Sequence, residues 1–212
     1  MGRIAIFGAG GRAGRQAVAE ARRRGHEVTA VVRDPARYDG LADDGVRIAV
    51  GDVTSEADVA ALAAGHDAVI HAAAVYGVGT DPDAFFPGAA HALITGLRQA
   101  GVDRLVAVGL SASLPGSDGV RLMDTPGFPA EARQFCLAHA AGLEVLRRDG
   151  DALDWVYVSP VGDFDHEGDR TGRYDIREHG DLAARISYAD FALTLIDEAA
   201  TPHHHHTHLA VT

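Results

Sequence analysis

The chain has 212 residues, enough for one domain with or without a small appended lobe, and 47% of them are apolar, so a full core can form. Only 6% are aromatic, which makes that core an aliphatic one rich in Ala, Val and Leu. With 19 basic residues against 30 acidic the formal net charge is −11, which argues against a nucleic-acid partner or an anionic membrane surface.

Every basic residue is Arg, so any mechanism that needs a lysine, Schiff-base chemistry included, is excluded. Cys136 is the single cysteine and reads as a small core residue of a helix; no intramolecular disulfide is possible. No stretch approaches the roughly 18 apolar residues of a membrane span, and the short N-terminal run is too brief for a signal sequence. The expectation is a soluble, cytoplasmic protein.

In chain order, "RIAIF" (3–7) is a strand ending at glycine, and "RQAVAEARRRG" (15–25) an amphipathic helix. "HEVTAVVR" (26–33) and "VRIAVGD" (46–52) are strands, followed by the helix "SEADVAALAAG" (55–65), capped by Ser55. "DAVIHAAA" (67–74) is a fourth strand. The helix in 83–101 should place Pro87 at or before its first turn, because proline removes an N–H donor. "RLVAVGL" (104–110) is the fifth strand.

Residues 111–129 are rich in Gly, Pro and Ser and read as a loop or lid. A helix at about 130–149, a strand at 153–160 and a polar segment at 161–182 follow, the last with a short β-like patch at "RTGRYDI". "SYADFALTLIDEAA" (187–200) opens with Ser187 and Asp190 in a capping-box arrangement, and "THLAVT" is a final strand. The run His203–His206 reads as a solvated loop rather than a metal site, since successive side chains on an extended segment alternate faces. Continuous apolar strands alternating with helices predict a Rossmann-like, doubly wound parallel sheet with helices on both faces. One domain spans 1–212, with residues 153–212 contributing a small substrate-side lobe.

"IAIFGAGGRAGRQ" (4–16) carries two overlapping glycine patterns. Gly8, Gly10 and Ala13 fit G-x-G-x-x-G/A, whereas Gly8, Gly11 and Gly14 fit G-x-x-G-x-x-G. A glycine turn between a strand and a helix lets backbone N–H groups approach a diphosphate. At the end of the second strand stands Arg33 rather than an acid, with Arg37 close behind. Guanidinium groups suit a 2′-phosphate, which favours NADP(H), while Asp34 leaves NAD(H) open. Arg12 sits within reach of a phosphate. Asp52 is either an adenine contact, with Val53 packing on the ring, or an ordinary turn aspartate. Ala73 and Ala74 are small enough to let a cofactor approach the sheet edge.

Together "IAIFGAGGRAG", "VVRDPAR", "VGDVTSEADV" and "DAVIHAAA" resemble the atypical short-chain dehydrogenase/reductases, and within them the flavin reductase/biliverdin-IXβ reductase-like group. The resemblance continues through "GVDRLVAVG", "MDTPGFPAEA", "LDWVYVSP", "RTGRY" and "RISYADFALTLIDE", almost the whole chain. It implies the Gly8, Gly11, Gly14 frame, leaving Gly10 as extra freedom in the turn. It further implies a 2′-phosphate at Arg33 and Arg37, adenine at Asp52 and Val53, and nicotinamide near Pro160. Ser111 and Ser113 bracket the serine position of the group, and Glu131 is a polar residue near the site. The departures are the missing tyrosine–lysine pair and Val161 where the flavin/biliverdin reductase has histidine. The implied function is hydride transfer from NADPH to a small planar acceptor, flavin or quinone, with flavin as substrate only. The rival is a non-catalytic, NmrA-like NADP(H) sensor; a nucleotide-sugar epimerase or dehydratase is a third possibility. Either a monomer or a homodimer suits such a domain.

Overall fold

The structure is a computed structural model that describes residues 1–38 and 45–212. The first half builds β1 (Arg3–Phe7), α1 (Arg12–Arg23), β2 (Glu27–Val32), β3 (Val46–Val50), α2 (Glu56–Ala63), β4 (Ala68–His71), α3 (Pro82–Ala100) and β5 (Arg104–Val108). The second half builds α4 (Ala130–Asp149), β6 (Asp154–Pro160), β7 (Asp163–Asp165), β8 (Ile176–Arg177), β9 (Arg185–Ser187), α5 (Tyr188–Ala200) and β10 (Thr207–Val211). The main sheet runs β3-β2-β1-β4-β5-β6-β10-β8, and β7 pairs separately with β9. Every pair in the main sheet is parallel except β10 with β8. This is the expected doubly wound architecture, with its topological switch between β1 and β4.

The two apolar faces of the strands build two cores. Ile4, Ile6, Val28, Val106, Val156 and Val158 pack with α1 and α5 on one side. Ala5, Phe7, Val31, Val69, Leu105 and Trp155 pack with α2, α3 and α4 on the other. Burial on both faces is why these strands read as continuous rather than alternating apolar runs.

Several boundaries differ from expectation. Helix α1 starts at Arg12 rather than Arg15, with Gly11 as its cap, so the glycine run itself supplies the first turn. The end of "DAVIHAAA" leaves the strand after His71. Helix α3 begins at Pro82 behind the Asp81 cap, and Pro87 lies inside it rather than in its first turn. Asp81 accepts from the Ala84 N–H, and Pro82 has the fixed φ suited to a first helical position, so the start is set upstream of Pro87. The cost is one missing bond to the Asp83 carbonyl. Within "RTGRYDI" only Ile176 belongs to a strand, and β7 and β9 are too short to show in the pattern.

The histidine run is a loop as expected, with His203, His205 and His206 exposed, and specific contacts tie it down. His204 Nδ1 meets Glu198 Oε1 at 2.7 Å, and the N–H groups of His203 and His204 donate to Glu198 Oε2. His205 Nδ1 meets Asp154 Oδ1 at 2.7 Å, and His206 bonds the Leu153 carbonyl from a left-handed φ of 48°. Glu198 in turn holds the buried Arg104 guanidinium at 2.8 Å. This hub gathers the starts of β5, β6 and β10 with the end of α5, at the end of the sheet opposite the glycine turn.

Candidate functional site

The β1–α1 turn places Gly8 at φ 80°, and a Cβ there would collide with the backbone of Ala72 and Ala73. A Cβ on Gly14 would meet the Gly8 carbonyl in the same way. These two glycines draw the turn against the end of β4 and the first helical turn against the loop. The first N–H groups of α1, from Arg12, Ala13 and Gly14, lack intrahelical acceptors as at any helix start. Arg15 N–H closes the next bond onto Gly11 O at 2.9 Å.

Gly10 does not provide slack. Its φ is not positive, and a Cβ there would collide with the Tyr38 ring. Arg15 completes the arrangement: its Nε donates to Gly10 O at 3.0 Å, and its guanidinium carbon sits 5.5 Å from the Tyr38 centroid. The turn therefore uses Gly8 and Gly14 for backbone approach and Gly10 for ring packing. Gly11 is the least constrained of the four, its added Cβ reaching only ordinary contact with Gly8 O.

A cavity of about 250 Å³ opens at the carboxyl ends of β1–β4. Gly8, Gly10, Gly11, Arg33, Arg37, Asp52, Val53, Ala73 and Ala74 all line it, together with Phe7, Val31, Asp34, Tyr38, Ala72, Tyr76 and Phe85. Tyr38, Tyr76 and Phe85 escaped the sequence reading because an isolated aromatic carries no spacing signal. The sole cue was Tyr38's position directly after Arg37. Both aspartates at the rim have local work. Asp34 Oδ1 accepts from the Ala36 N–H, capping the 3₁₀ turn that carries Arg37. Asp52 Oδ1 accepts from the Thr54 N–H and hydroxyl at 2.9 and 2.8 Å, so it is a turn aspartate that also lines the cavity.

The remaining candidates lie outside this cavity. Arg12 reaches across to His166, Nη1 to Nδ1 at 2.6 Å, linking the glycine turn to the segment after β7. Next to His166 the Phe164 and Tyr188 rings stack at 4.0 Å. Ala13 and Gly14 sit in the first turn of α1 and Pro160 at the buried end of β6. Ser111 opens a 3₁₀ turn that ends at Ser113, whose hydroxyl donates to Leu110 O at 2.9 Å. Glu131 is exposed in the first turn of α4.

Beneath the ends of β4–β6 lies a buried polar layer that the sequence did not announce. The Tyr157 hydroxyl and His139 Nδ1 share a hydrogen bond of 2.6 Å, and His71 is enclosed close by. Burial holds His71 down at about 4 and His139 at about 3, and it pushes the Tyr157 phenol well up, so all three are neutral at pH 7. The Tyr157 ring also fills the space a Cβ on Gly109 would need.

A doubly wound sheet with a glycine turn, a helix N-terminus and two guanidinium groups at its switch point defines a dinucleotide-binding protein of the Rossmann-like class. The chain belongs to the NAD(P)H-binding family, which it matches over residues 8–202, and it falls with the atypical short-chain dehydrogenase/reductases. It is 36% identical to YwnB, an uncharacterised Bacillus subtilis protein, over 95% of this chain and 94% of that one. A candidate NADH-flavin reductase from Streptococcus pneumoniae is 32% identical, with a TM-score of 0.81 over 100% of this chain and 99% of the other. A candidate epimerase from Bacteroides thetaiotaomicron is 31% identical, with a TM-score of 0.85 over 99% and 96%. Among the described residues, no helix is long and apolar enough to cross a membrane.

Proposed function

We propose that the protein is an NADP(H)-dependent reductase that delivers hydride to a small planar acceptor of the flavin or quinone type. The observation that carries the cofactor assignment is Arg33 and Arg37 on one rim of the glycine-turn cavity, where a 2′-phosphate would meet two guanidinium groups. Asp34, the residue that would otherwise favour NAD(H), has one carboxylate oxygen engaged in its own turn. The glycine turn and the start of α1 would take the diphosphate, Val53 and Asp52 the adenine, and the Ala72–Ala74 edge the path toward nicotinamide. When bound, the nicotinamide supplies the hydride.

The chain's own share of the chemistry is then orientation. Ser111, Ser113 and Glu131 do not line the cavity, and the tyrosine–lysine pair is absent. Reduction of a simple carbonyl benefits from a positioned acid at the developing alkoxide, whereas a flavin or quinone needs chiefly a parallel ring at contact distance. Tyr76, 76% exposed on the cavity wall and edge-on to Phe135, offers an apolar border for such a ring. The Streptococcus relative, named for flavin reduction, supports the same direction. The epimerase name of the Bacteroides relative finds no support in a chain without the pair.

The lack of a side-chain acid equally favours a second reading, a non-catalytic NADP(H) sensor. NADPH oxidation in the presence of FMN, riboflavin or quinones separates the two. Acceptor-dependent turnover supports the reductase, while tight NADPH binding without turnover overturns it in favour of the sensor. For the cofactor, Arg33→Glu should weaken NADPH binding at least about tenfold more than NADH, the loss of roughly one charge-assisted contact. Equal loss for both would show that Arg33 does not meet the 2′-phosphate.

A further inference from the structure

Ser113, which lies outside the glycine-turn cavity, and His206 of the histidine run line one groove. β10 buries Leu209 and Val211 on the α5 side of the sheet, which turns His208 and Ala210 to the other face. On that face the helical layer stops at α4. A groove of about 290 Å³ remains between α4, the β8 edge and the turn at Ser113–Pro115, and it shares no lining residue with the glycine-turn cavity. Its floor is apolar: Leu114, Ala210 and Trp155 are 2%, 3% and 3% exposed.

Arg147 of α4 and Arg177 of β8 stand at its walls, with Glu178 as the one carboxylate among the lining residues. Both guanidinium groups are available. Among the described residues, Arg147 pairs only with Glu144 on its own helix, and Arg177 lies 3.6 Å from Asp175, all four side chains being substantially exposed. Pairs of that kind contribute about 0–1 kcal/mol and exchange readily for another anion. His208 is tethered through Nε2 to Ser159 Oγ at 2.7 Å. Burial, then the nearby Arg147 charge, holds it down at about 4, so it adds a neutral ring to the wall.

We propose that this groove is a second ligand site, for a small organic anion whose carboxylate or phosphate lies between Arg147 and Arg177 and whose apolar body rests on the Leu114–Trp155–Ala210 floor. Through Ser113 an occupant touches the turn that follows β5, so it would bear on the loop bordering the nicotinamide side. The site itself does not depend on the reductase reading.

Trp155 is the only tryptophan in the chain, so intrinsic fluorescence reports directly on the groove. The full chain is titrated with benzoate, phenyl phosphate, acetate and inorganic phosphate. The expected result is a saturable change with benzoate or phenyl phosphate, tighter than with acetate or inorganic phosphate. The benzoate and phenyl phosphate arms decide which head group is preferred. Arg147→Gln and Arg177→Gln, both at exposed positions and checked for folding by circular dichroism, should each weaken binding about tenfold. Arg33→Glu should leave it unchanged. The proposal is overturned if no probe gives saturable binding, if both glutamine variants bind as the parent does, or if Arg33→Glu abolishes the signal.

Discussion

Gly10 and Tyr38 illustrate how a single contact can redefine a motif. Glycine motifs are usually read as backbone geometry, yet at Gly10 the constraint comes from an aromatic ring arriving from the end of the next strand. Gly10→Ala should displace the partly exposed Tyr38 ring toward the cavity and cost about 1 kcal/mol, the low end for overpacking. In a Tyr38→Ala background the same substitution should cost almost nothing, because the clash is gone. Urea unfolding of the four members of this double-mutant cycle gives the coupling directly, and additive losses would refute the contact. The pair also explains a limit of sequence reading. Gly8 and Gly14 follow from the strand–turn–helix pattern, but the ring over Gly10 depends on the 3₁₀ turn at Pro35–Arg37, which no periodicity signals.

At the scale of elements, the α5–β10 connection is the clearest case of residues whose role lay outside the pattern. Four consecutive histidines invite a metal or a tag, and the structure instead gives them hydrogen-bond partners supplied by Glu198, Asp154 and Leu153. The Arg104–Glu198 pair beneath them has side chains only 6% and 2% exposed. Removing one member of such a pair leaves the other charge buried, at a cost of about 3–5 kcal/mol. Asp154 also contacts Arg104, at 3.0 Å, which places Glu198→Gln near the lower end. Thermal unfolding should therefore fall by about 10 °C for a chain of this size, with NADPH affinity unchanged because the hub lies at the far end of the sheet. A parental melting temperature in Glu198→Gln would show that Asp154 alone satisfies the guanidinium. Similar local chemistry explains the start of α5. Ser187 caps the helix as its sequence suggests, but Asp190 turns its carboxylate to the N–H groups of Thr171 and Gly172. Burial would raise that carboxyl; those donors outweigh it and hold it below the usual value.

For the molecule as a whole, the parallel, doubly wound sheet and the glycine turn between its first strand and helix could be read from the chain. They follow from continuous apolar runs, the glycine spacing and the connection rules of doubly wound sheets. The buried His71, His139 and Tyr157 could not, since a lone histidine in an apolar strand or helix looks the same whether exposed or enclosed. These histidines, with His208, make the fold sensitive to acid. Their folded values, about 4 and about 3, lie below the ordinary 6.5, so the unfolded chain takes up protons first as pH falls. Above pH 6.5 they contribute no pH dependence. Below it stability is lost by up to about 1.4 kcal/mol per pH unit per histidine, until the folded values are reached. Urea midpoints between pH 7 and pH 4.5 should fall accordingly, and His71→Leu should flatten the slope. An unchanged slope in that variant would mean that His71 does not titrate as a buried group.

The position of β10 bears on how the edge of the sheet is protected. Its five residues are inserted between β6 and the antiparallel β8, so the far side of the sheet is sealed by residues 207–211. Without them β6 would present an unpaired edge with Val156 and Val158 in it, the kind of strand margin that recruits neighbouring chains. β10 closes that edge, and the contacts of the histidine connection to Glu198, Asp154 and Leu153 fix its start beside the start of β6.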